Sequence, residues 1–312
     1  MIIIKKKLLS DIEELANILD ILGKTNRAKA FYKTHAVLKK MKENKEKLPD
    51  NKKDLMKIKT IGKSISEIIL DFEKTKKIEG LEELKRDNVV EVIMDLTKIH
   101  GFGVKQAEKL YKRGIKNISD LREAWVNGKI KLTSAQKLGV RYFEDMQTKI
   151  PHEEIKRVDL MLEKNVKKIS DINKYFILGS YRRKKKLSGD IDILLVSEKS
   201  SALKSLIDLL KEKYTFMGKI ASGTKKFMGL FLIESKVRQI DIILTGKLMY
   251  PTKLQYFTGS KEYNVKIRNI ALKKGYKLSD EGLFKGGKRI KLKNEEHIFK
   301  ILDLPYLKPE DR

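Results

Sequence analysis

Cysteine is absent from this 312-residue chain, which excludes disulfides, thiolate zinc sites and cysteine nucleophiles and fits a reducing compartment. Histidine is almost as scarce, with four scattered residues, so carboxylates are left to carry acid–base or metal chemistry. The opening MIIIKKKLLS has too short an apolar run for a signal peptide or a membrane span, and the expected protein is soluble and intracellular. Acidic residues are in deficit as well: 42 Asp plus Glu against 70 Lys plus Arg give a net charge of +28. Solubility needs far less. The excess runs through the whole chain rather than along one amphipathic segment, so it predicts a polyanionic partner, nucleic acid rather than a membrane. A hydrophobic content of 41% still allows buried cores in two or three domains.

The stretch YFILGSYRRKKKLSGDIDILLV, Tyr175 to Val196, reads as strand, turn and second strand. Side chains alternate along a strand, which puts Asp190 and Asp192 on one face. Two close carboxylates repel each other unless a cation sits between them, and a hard divalent ion suits oxygen ligands, so the pair asks for magnesium. Gly179-Ser180 supplies a tight turn, and Arg182, Arg183, Lys184, Lys185 and Lys186 bring charge suited to a polyphosphate. In VRQIDIILTG a third acid, Asp241, lies mid-strand between Ile240 and Ile242, where it is costly unless paired or metal-bound. Three acids beside an anion cradle suggest two-metal phosphoryl transfer. Gly-Ser, a spacer, Asp-x-Asp and a distant third Asp resemble the signature of the nucleotidyltransferase superfamily.

The N-terminal part reads as helical. Ile12, Leu15, Ala16, Leu19 and Leu22 recur at helical spacing, with Ser10 and Glu13 as a capping box and Gly23 as the stop. A second helix carries Ala28, Phe31, Leu38 and Met41, and His35 near its inner face is read as structural. IKTIGKSISEIILDF and IHGFGVKQAEKLYKRG then repeat one figure, helix, glycine turn, helix. Glycines let backbone amides at a helix N-terminus approach a phosphate, and the pair resembles helix-hairpin-helix motifs. Ser119-Asp120 caps the helix carrying Leu121 and Trp125; Pro151 starts a long amphipathic helix through Ile155, Val158, Leu162, Val166 and Ile169. A helix with Leu203, Leu206, Ile207 and Leu210 crosses over to strands at 226–233 and 237–244, giving an α+β palm with a mixed sheet.

Tyr256-Phe257-Thr258-Gly259-Ser260 and the terminal Leu304-Pro305-Tyr306 to Pro309-Glu310-Asp311-Arg312 make the likeness closer. With both hairpins, the palm signature and Lys226-Phe227-Met228-Gly229, nearly the whole chain resembles the family X DNA polymerases, the DNA polymerase beta group, in their short eukaryotic or viral form. The resemblance implies four parts: a helical lyase-like domain over 1–84 with the first hairpin, a DNA-binding subdomain over 85–148 with the second, a nucleotidyltransferase palm over 149–250 and a thumb over 251–312. Asp190 and Asp192 would hold two Mg2+ ions, with Mn2+ an acceptable substitute; Asp241 would ligate the catalytic ion and act near the primer 3′-hydroxyl as base or orienter. Ser180, Arg183, Ser188 and Gly189 match the triphosphate positions; Tyr256, Phe257 and Gly259 match the turn that crowds the sugar; Asn264 and Arg268 match residues at the nascent pair and the template. Gly62, Ile65, Gly101, Gly103, Val104 and Ala107 would grip DNA, and carbonyls of Thr97, Ile99 and Phe102 would hold Na+ or K+. The implied partners are gapped or nicked double-stranded DNA, dNTPs and a DNA ligase, in a monomer located in the nucleus, a viral replication site or a virion.

Some positions depart from the family pattern. Gln239 and Ile243 stand where arginines occur around the third aspartate, and Lys261 and Val265 where stacking residues occur. Ile68 occupies the place of the lysine that forms a Schiff base with an abasic sugar, and isoleucine is no nucleophile. Ser64 and Phe31 replace other 5′-phosphate receivers, while Arg27 keeps its charge and Lys63 is a candidate substitute nucleophile. The expectation is template-directed gap filling with weak or absent lyase activity. The rival readings are a template-independent terminal transferase and a non-catalytic gap-binding scaffold; a small-molecule nucleotidyltransferase has no need of two hairpins. No BRCT-like or phosphoesterase domain is expected at either end, and the short connection from Ile233 to Val237 leaves no room for the loop of template-independent relatives.

Overall fold

Helical spacing of apolar residues builds the first of two compact units, Met1–Lys131 and Leu132–Arg312, in a computed structural model that describes all 312 residues. Helix α1 (Lys6–Ile21) starts earlier than a Ser10 cap allows, and the Ser10–Glu13 capping box does not form. Leu8 extends the buried stripe of Ile12, Leu15 and Leu19 by another turn, and Ile2 is bridged to Leu48 just ahead of it, so burial outweighs the local cap. Helix α2 (Thr25–Glu43) buries Ala28, Phe31 and Leu38. His35 is structural, its Nε2 3.8 Å from the Glu13 carboxylate. Short helices α3 (Lys52–Leu55) and α5 (Leu81–Lys85) alternate with α4 (Lys63–Thr75), α6 (Asn88–Thr97) and α7 (Val104–Lys112). Helix α8 (Ile118–Val126) is capped by Asn117, not by Ser119-Asp120. Asn117 accepts from the Asp120 amide at 2.9 Å while Asp120 reaches back to the Lys116 amide at 2.8 Å, a reciprocal arrangement that a cap two residues later could not make.

The second unit opens with α9 (Ser134–Arg141) and α10 (Phe143–Gln147), followed by β1 (Ile150–Pro151) and α11 (His152–Val166). Residues 132–148, expected with the second hairpin, pack inside this unit. Leu138 of α9 presses on Gly218, where a Cβ would stand 2.6 Å from it, and Asp145 accepts the Val237 amide at 2.9 Å. Then come β2 (Lys174–Ile177), the helical turn α12 (Gly179–Arg182), β3 (Leu187–Ser188), β4 (Ile191–Val196) and α13 (Ser201–Lys213). Strands β5 (Thr215–Ser222), β6 (Lys226–Ile233) and β7 (Lys236–Thr245) complete the palm. Its five-stranded sheet has the order β2-β4-β7-β6-β5, with β4 and β7 parallel and the other neighbours antiparallel, a mixed sheet as expected. Strand β5 is not foreseen, because its burial does not alternate and two register irregularities interrupt its pairing.

Ile191, Ile193 and Leu195 of β4 and Ile240, Ile242 and Leu244 of β7 face one core with Ile155, Val158 and Leu162 of α11 and Leu206 and Leu210 of α13. Residues of opposite parity, Leu194 and Ile243, meet Leu254 of α14 (Tyr250–Thr258) on the other face. The thumb continues with α15 (Lys261–Lys273), the antiparallel strands β8 (Tyr276–Ser279), β9 (Gly282–Lys285) and β10 (Lys288–Arg289), and α16 (Glu295–Ile301). Ile267, Leu278, Leu283, Ile298, Phe299 and Leu302 form its core. No helix is long and apolar enough to cross a membrane.

Candidate active site

Strand parity places the acids. Asp192 and Asp241 are register partners across the parallel β4–β7 pair, on the face away from the main core. Asp190 stands one residue ahead of β4. One carboxylate oxygen from each of the three lies within 4.8 Å of the others, and all three side chains are half-buried. Burial, then the charges of Asp190 and Asp241, pushes the Asp192 carboxyl up to about 7. Burial also raises Asp190, with Lys149 pulling the other way. The like charges are costly as they stand, and an all-carboxylate donor set of this spacing fits divalent ions that would relieve that cost.

A pH dependence follows. A raised carboxyl stabilises the metal-free fold fully below its unfolded value near 4, and that contribution is lost as pH rises through about 7. A cation must displace the same proton, so its apparent affinity should fall by up to about tenfold per pH unit below 7. The melting-temperature gain from added Mg2+ or Mn2+ should therefore be much larger at pH 8 than at pH 5.5. A gain that does not change between those values would contradict the assignment.

Beside the acids, Gly179 has φ +56, and a Cβ there would stand 2.5 Å from Asp192 Oδ2, so only glycine lets the α12 turn approach the carboxylates. The turn carries Ser180, whose Oγ accepts from Arg183 Nη2 at 3.2 Å. Ser188 is 3% exposed and its Oγ has no hydrogen-bond partner; neither has Arg183 Nε. Unmet buried donors of this kind are disfavoured unless a ligand answers them. Arg182 is not among these donors: it forms a bidentate pair with Glu295 (2.7 and 3.1 Å) and donates to Thr258 Oγ1 at 2.5 Å. Lys184 pairs with Glu310 at 3.0 Å. The basic run thus divides, part toward the site and part toward the thumb.

Lys149 was not expected here. The pairing of Ile150 with Ser188 brings it in, and a Cβ on Gly189 would stand 3.6 Å from Lys149 Nζ. A lysine ahead of Ile-Pro carries no signal of its own; only the β1–β3 bridge puts its charge beside Asp190. Gln239 was expected as a departure, and its Nε2 donates to Asp241 Oδ1 at 2.9 Å, a neutral orienter for the third acid. Next to it in sequence, the buried Arg238 forms a bidentate pair with Glu154 (2.7 and 2.8 Å) and donates to the Thr148 carbonyl at 3.0 Å, tying β7 to α11.

The thumb residues gather in one place. Tyr256 and Phe257 meet edge to face at 5.0 Å, and Arg268 lies over the Tyr256 ring at 4.7 Å. Gly259 has φ +70, and Arg183 Nη1 hydrogen-bonds the Thr258 carbonyl next to it. Asn264 is buried, donating to the Tyr256 carbonyl at 2.6 Å and accepting from Gln255 at 2.9 Å. Both ends of its amide are engaged within the thumb, and Arg268 is stacked rather than extended.

The two hairpins of the first unit match closely. Ile61 donates to the Ile58 carbonyl at 3.0 Å and Phe102 to that of Ile99 at 3.1 Å; Gly62 and Gly103 are the N-caps of α4 and α7. Ile65 and Ala107 are buried, so at these positions backbone groups rather than side chains are open to a ligand, while Val104 is partly exposed. Thr97 ends α6, and Ile99 and Phe102 flank the turn at Gly101. One difference stands out: where the second hairpin has Gly101 at φ +87, the first has Thr60 at φ +90, its carbonyl held by the buried Thr34 hydroxyl at 2.9 Å.

Family models match successive stretches of the chain, one of them running across the boundary between the two compact units. A DNA polymerase beta palm matches residues 149–247, a DNA polymerase beta thumb 253–312, the fingers domain of DNA polymerase lambda 95–147, and a SAM-like helix-hairpin-helix tandem 52–113. Among curated relatives, DNA polymerase lambda of Arabidopsis thaliana is 28% identical over 96% of this chain and 60% of its own length. DNA polymerase lambda of Rattus norvegicus is 24% identical over 96% of this chain and 55% of its own. The DNA polymerase/3'-5' exonuclease PolX of Bacillus subtilis is 26% identical over 99% of this chain and 55% of its own. The chain therefore spans between 55% and 60% of the length of these relatives. With palm, thumb, fingers and hairpin models falling in order along it, and the three acids gathered on the palm sheet, the chain belongs to the family X, polymerase beta-like DNA polymerases.

Proposed function

We propose that this protein is a DNA-directed DNA polymerase that adds deoxynucleotides to a primer 3′-end in short gaps during repair. The observation that carries the reading is the set of three carboxylates within 4.8 Å, on a palm sheet, beside buried polar atoms of Ser188 and Arg183 that have no partner. Asp190 and Asp192 would hold two Mg2+ or Mn2+ ions and Asp241 the catalytic one; bound ions supply Lewis-acid stabilisation of the charge that develops in phosphoryl transfer. Ser180, Arg183, Ser188 and the Gly189 amide would grip the triphosphate, with Lys149 adding charge next to it. Gln239 keeps Asp241 oriented toward the primer terminus. Tyr256, Phe257 and Gly259 would crowd the sugar against ribose, while Asn264 and Arg268 would have to leave their present partners to meet the nascent pair and the template. The hairpins would hold phosphates by backbone amides, with Na+ or K+ on the Thr97, Ile99 and Phe102 carbonyls. A DNA ligase as partner, a monomeric state and a nuclear or viral location belong to the same proposal.

The 5′-deoxyribose-phosphate lyase activity is proposed to be weak or absent. A cavity of about 570 Å3 in the first unit is lined by Arg27, Phe31, Lys59, Thr60, Gly62, Lys63 and Ser64, and Ile68 is not among its lining residues. It suits the 5′-phosphate at the downstream end of a gap.

The test is primer extension on a templated one-nucleotide gap with a 5′-phosphate, each dNTP offered singly. Insertion of the complementary nucleotide is expected. Indifferent tailing of single-stranded primers would replace this reading with a terminal transferase, and tight binding without extension with a scaffold. On the same gap carrying a 5′-deoxyribose phosphate, borohydride should trap no covalent adduct; an adduct lost in Lys63→Ala would instead make Lys63 the lyase nucleophile.

A further inference from the structure

The α12 turn is held from two sides. Arg182 and Arg183 tie it to the thumb through Glu295, Thr258 and the Thr258 carbonyl. Tyr181, between Ser180 and Arg182, points the opposite way, into the palm. Its hydroxyl donates to Asp159 Oδ2 at 3.1 Å, and Tyr175 of β2 donates to Oδ1 of the same carboxylate at 2.9 Å. The Tyr181 ring stacks on His152 with centroids 4.5 Å apart and planes at 21°. His152 is fixed in turn by the loop after α12, its amide donating to the Lys186 carbonyl at 3.0 Å. Asp159 sits on α11, a rigid helix of the palm core. The hydrogen bonds of this cluster run to Asp159 and to backbone carbonyls of the loop after α12.

We propose that Tyr181, anchored by Asp159, is a positioning residue for the nucleotide triphosphate: it fixes the α12 turn to the palm so that Ser180 and Arg183 present their donors at the height the phosphates need. The proposal rests on the polymerase reading above. A turn of four residues has no rigidity of its own, and backbone placement to within about half an ångström must come from supporting contacts. The Tyr181–Asp159 hydrogen bond is charge-assisted, the stronger class. Burial and the Asp159 charge push both phenols well above the ordinary tyrosine value, so they remain donors throughout the working pH range. Without this anchor the turn keeps its backbone bonds to the palm on either flank, such as Leu178 N–H to the Asp192 carbonyl at 2.8 Å, but the side-chain ties of Arg182 and Arg183 run to the thumb, so its donors are free to shift toward the thumb.

The experiment measures equilibrium binding of a complementary dNTP with Mg2+ to the protein on gapped DNA whose primer ends in a dideoxynucleotide, so that no chemistry is needed. Tyr181→Phe, which keeps the ring stack and removes the hydroxyl, should raise the dNTP Kd by roughly tenfold, and Asp159→Asn at least as much. On an extendable primer both should raise KM more than they lower kcat, and the KM for pyrophosphate in the reverse reaction should rise with that for dNTP. DNA affinity and melting temperature should stay close to those of the unsubstituted protein. Unchanged dNTP binding in both variants, or a loss that falls equally on DNA affinity and melting temperature, would reduce the cluster to ordinary packing. Failure of the polymerase reading looks different: the unsubstituted protein would not extend the open primer.

Discussion

Asp192→Asn is expected to abolish templated extension, by roughly 10³-fold or more, while raising the melting temperature of the metal-free protein. The two effects have one cause. Burial and the charges of Asp190 and Asp241 push the Asp192 carboxyl up to about 7, so near neutral pH the metal-free fold must either hold a proton there or tolerate three like charges. Asparagine keeps the shape against Gly179 and removes one charge, which lowers the repulsion. The same change removes an anionic ligand from a site that has only hard carboxylate oxygens to offer a cation. Single-turnover extension at saturating nucleotide, paired with thermal melting in chelator, measures both. Activity within tenfold of the unsubstituted protein would take the carboxylate cluster out of the chemistry; a lower melting temperature would mean that Asp192 is held by contacts rather than strained by charge.

Glu295→Ala should cost about 3–5 kcal/mol of stability, the usual cost of stranding buried charged partners. Glu295 is 4% exposed and receives Arg182 in bidentate form, Arg312 Nη1 at 2.5 Å and the Tyr306 hydroxyl at 3.2 Å. Burial pushes its carboxyl up, but Arg182 and Arg312 outweigh that and hold it below the usual carboxylate range. A depressed carboxyl contributes stability above its unfolded value and loses it as pH falls through the folded one, so this contribution is complete at neutral pH and fails only in acid. Truncation leaves Arg182 and Arg312 without their counterion, and the Arg312 guanidinium sits 5.2 to 5.5 Å from the Phe299, Tyr306 and Tyr263 rings with no route to water. Urea unfolding reads the loss; Glu295→Gln should lose less. A loss under about 1 kcal/mol would place the network among exposed pairs of small worth. Because Arg182 belongs to the α12 turn, dNTP affinity should fall as well.

Much of the site was legible because it obeys short-range periodicity. Two-residue alternation put Asp190 and Asp192 on one face, the apolar neighbours of Asp241 marked it as an acid needing a partner, and the repeated Ile–x–x–Ile/Phe–Gly figure announced both hairpins. Caps were less legible. Ser10 and Ser119 are good capping residues locally, yet Leu8 and Asn117 moved both helix starts, since burial of one more apolar turn or a reciprocal Asn–Asp pair outweighs a single hydroxyl.

What the chain alone determined, then, is the inventory and its local geometry: which residues form strands, which acids share a face, where glycine is needed for close approach, and the large positive charge. Tertiary structure decided which charges meet. Lys149 reaches Asp190 only through the β1–β3 bridge, Arg238 meets Glu154 across 84 residues and Arg182 meets Glu295 across 113. Thr60 adopts φ +90 where its counterpart is glycine, because Thr34, 26 residues away, holds its carbonyl. Hydrophobic spacing is written in neighbouring residues and can be read one turn or strand at a time. An ion pair between distant segments leaves no such trace, because either partner alone looks like one more surface charge in a chain that has 112 of them.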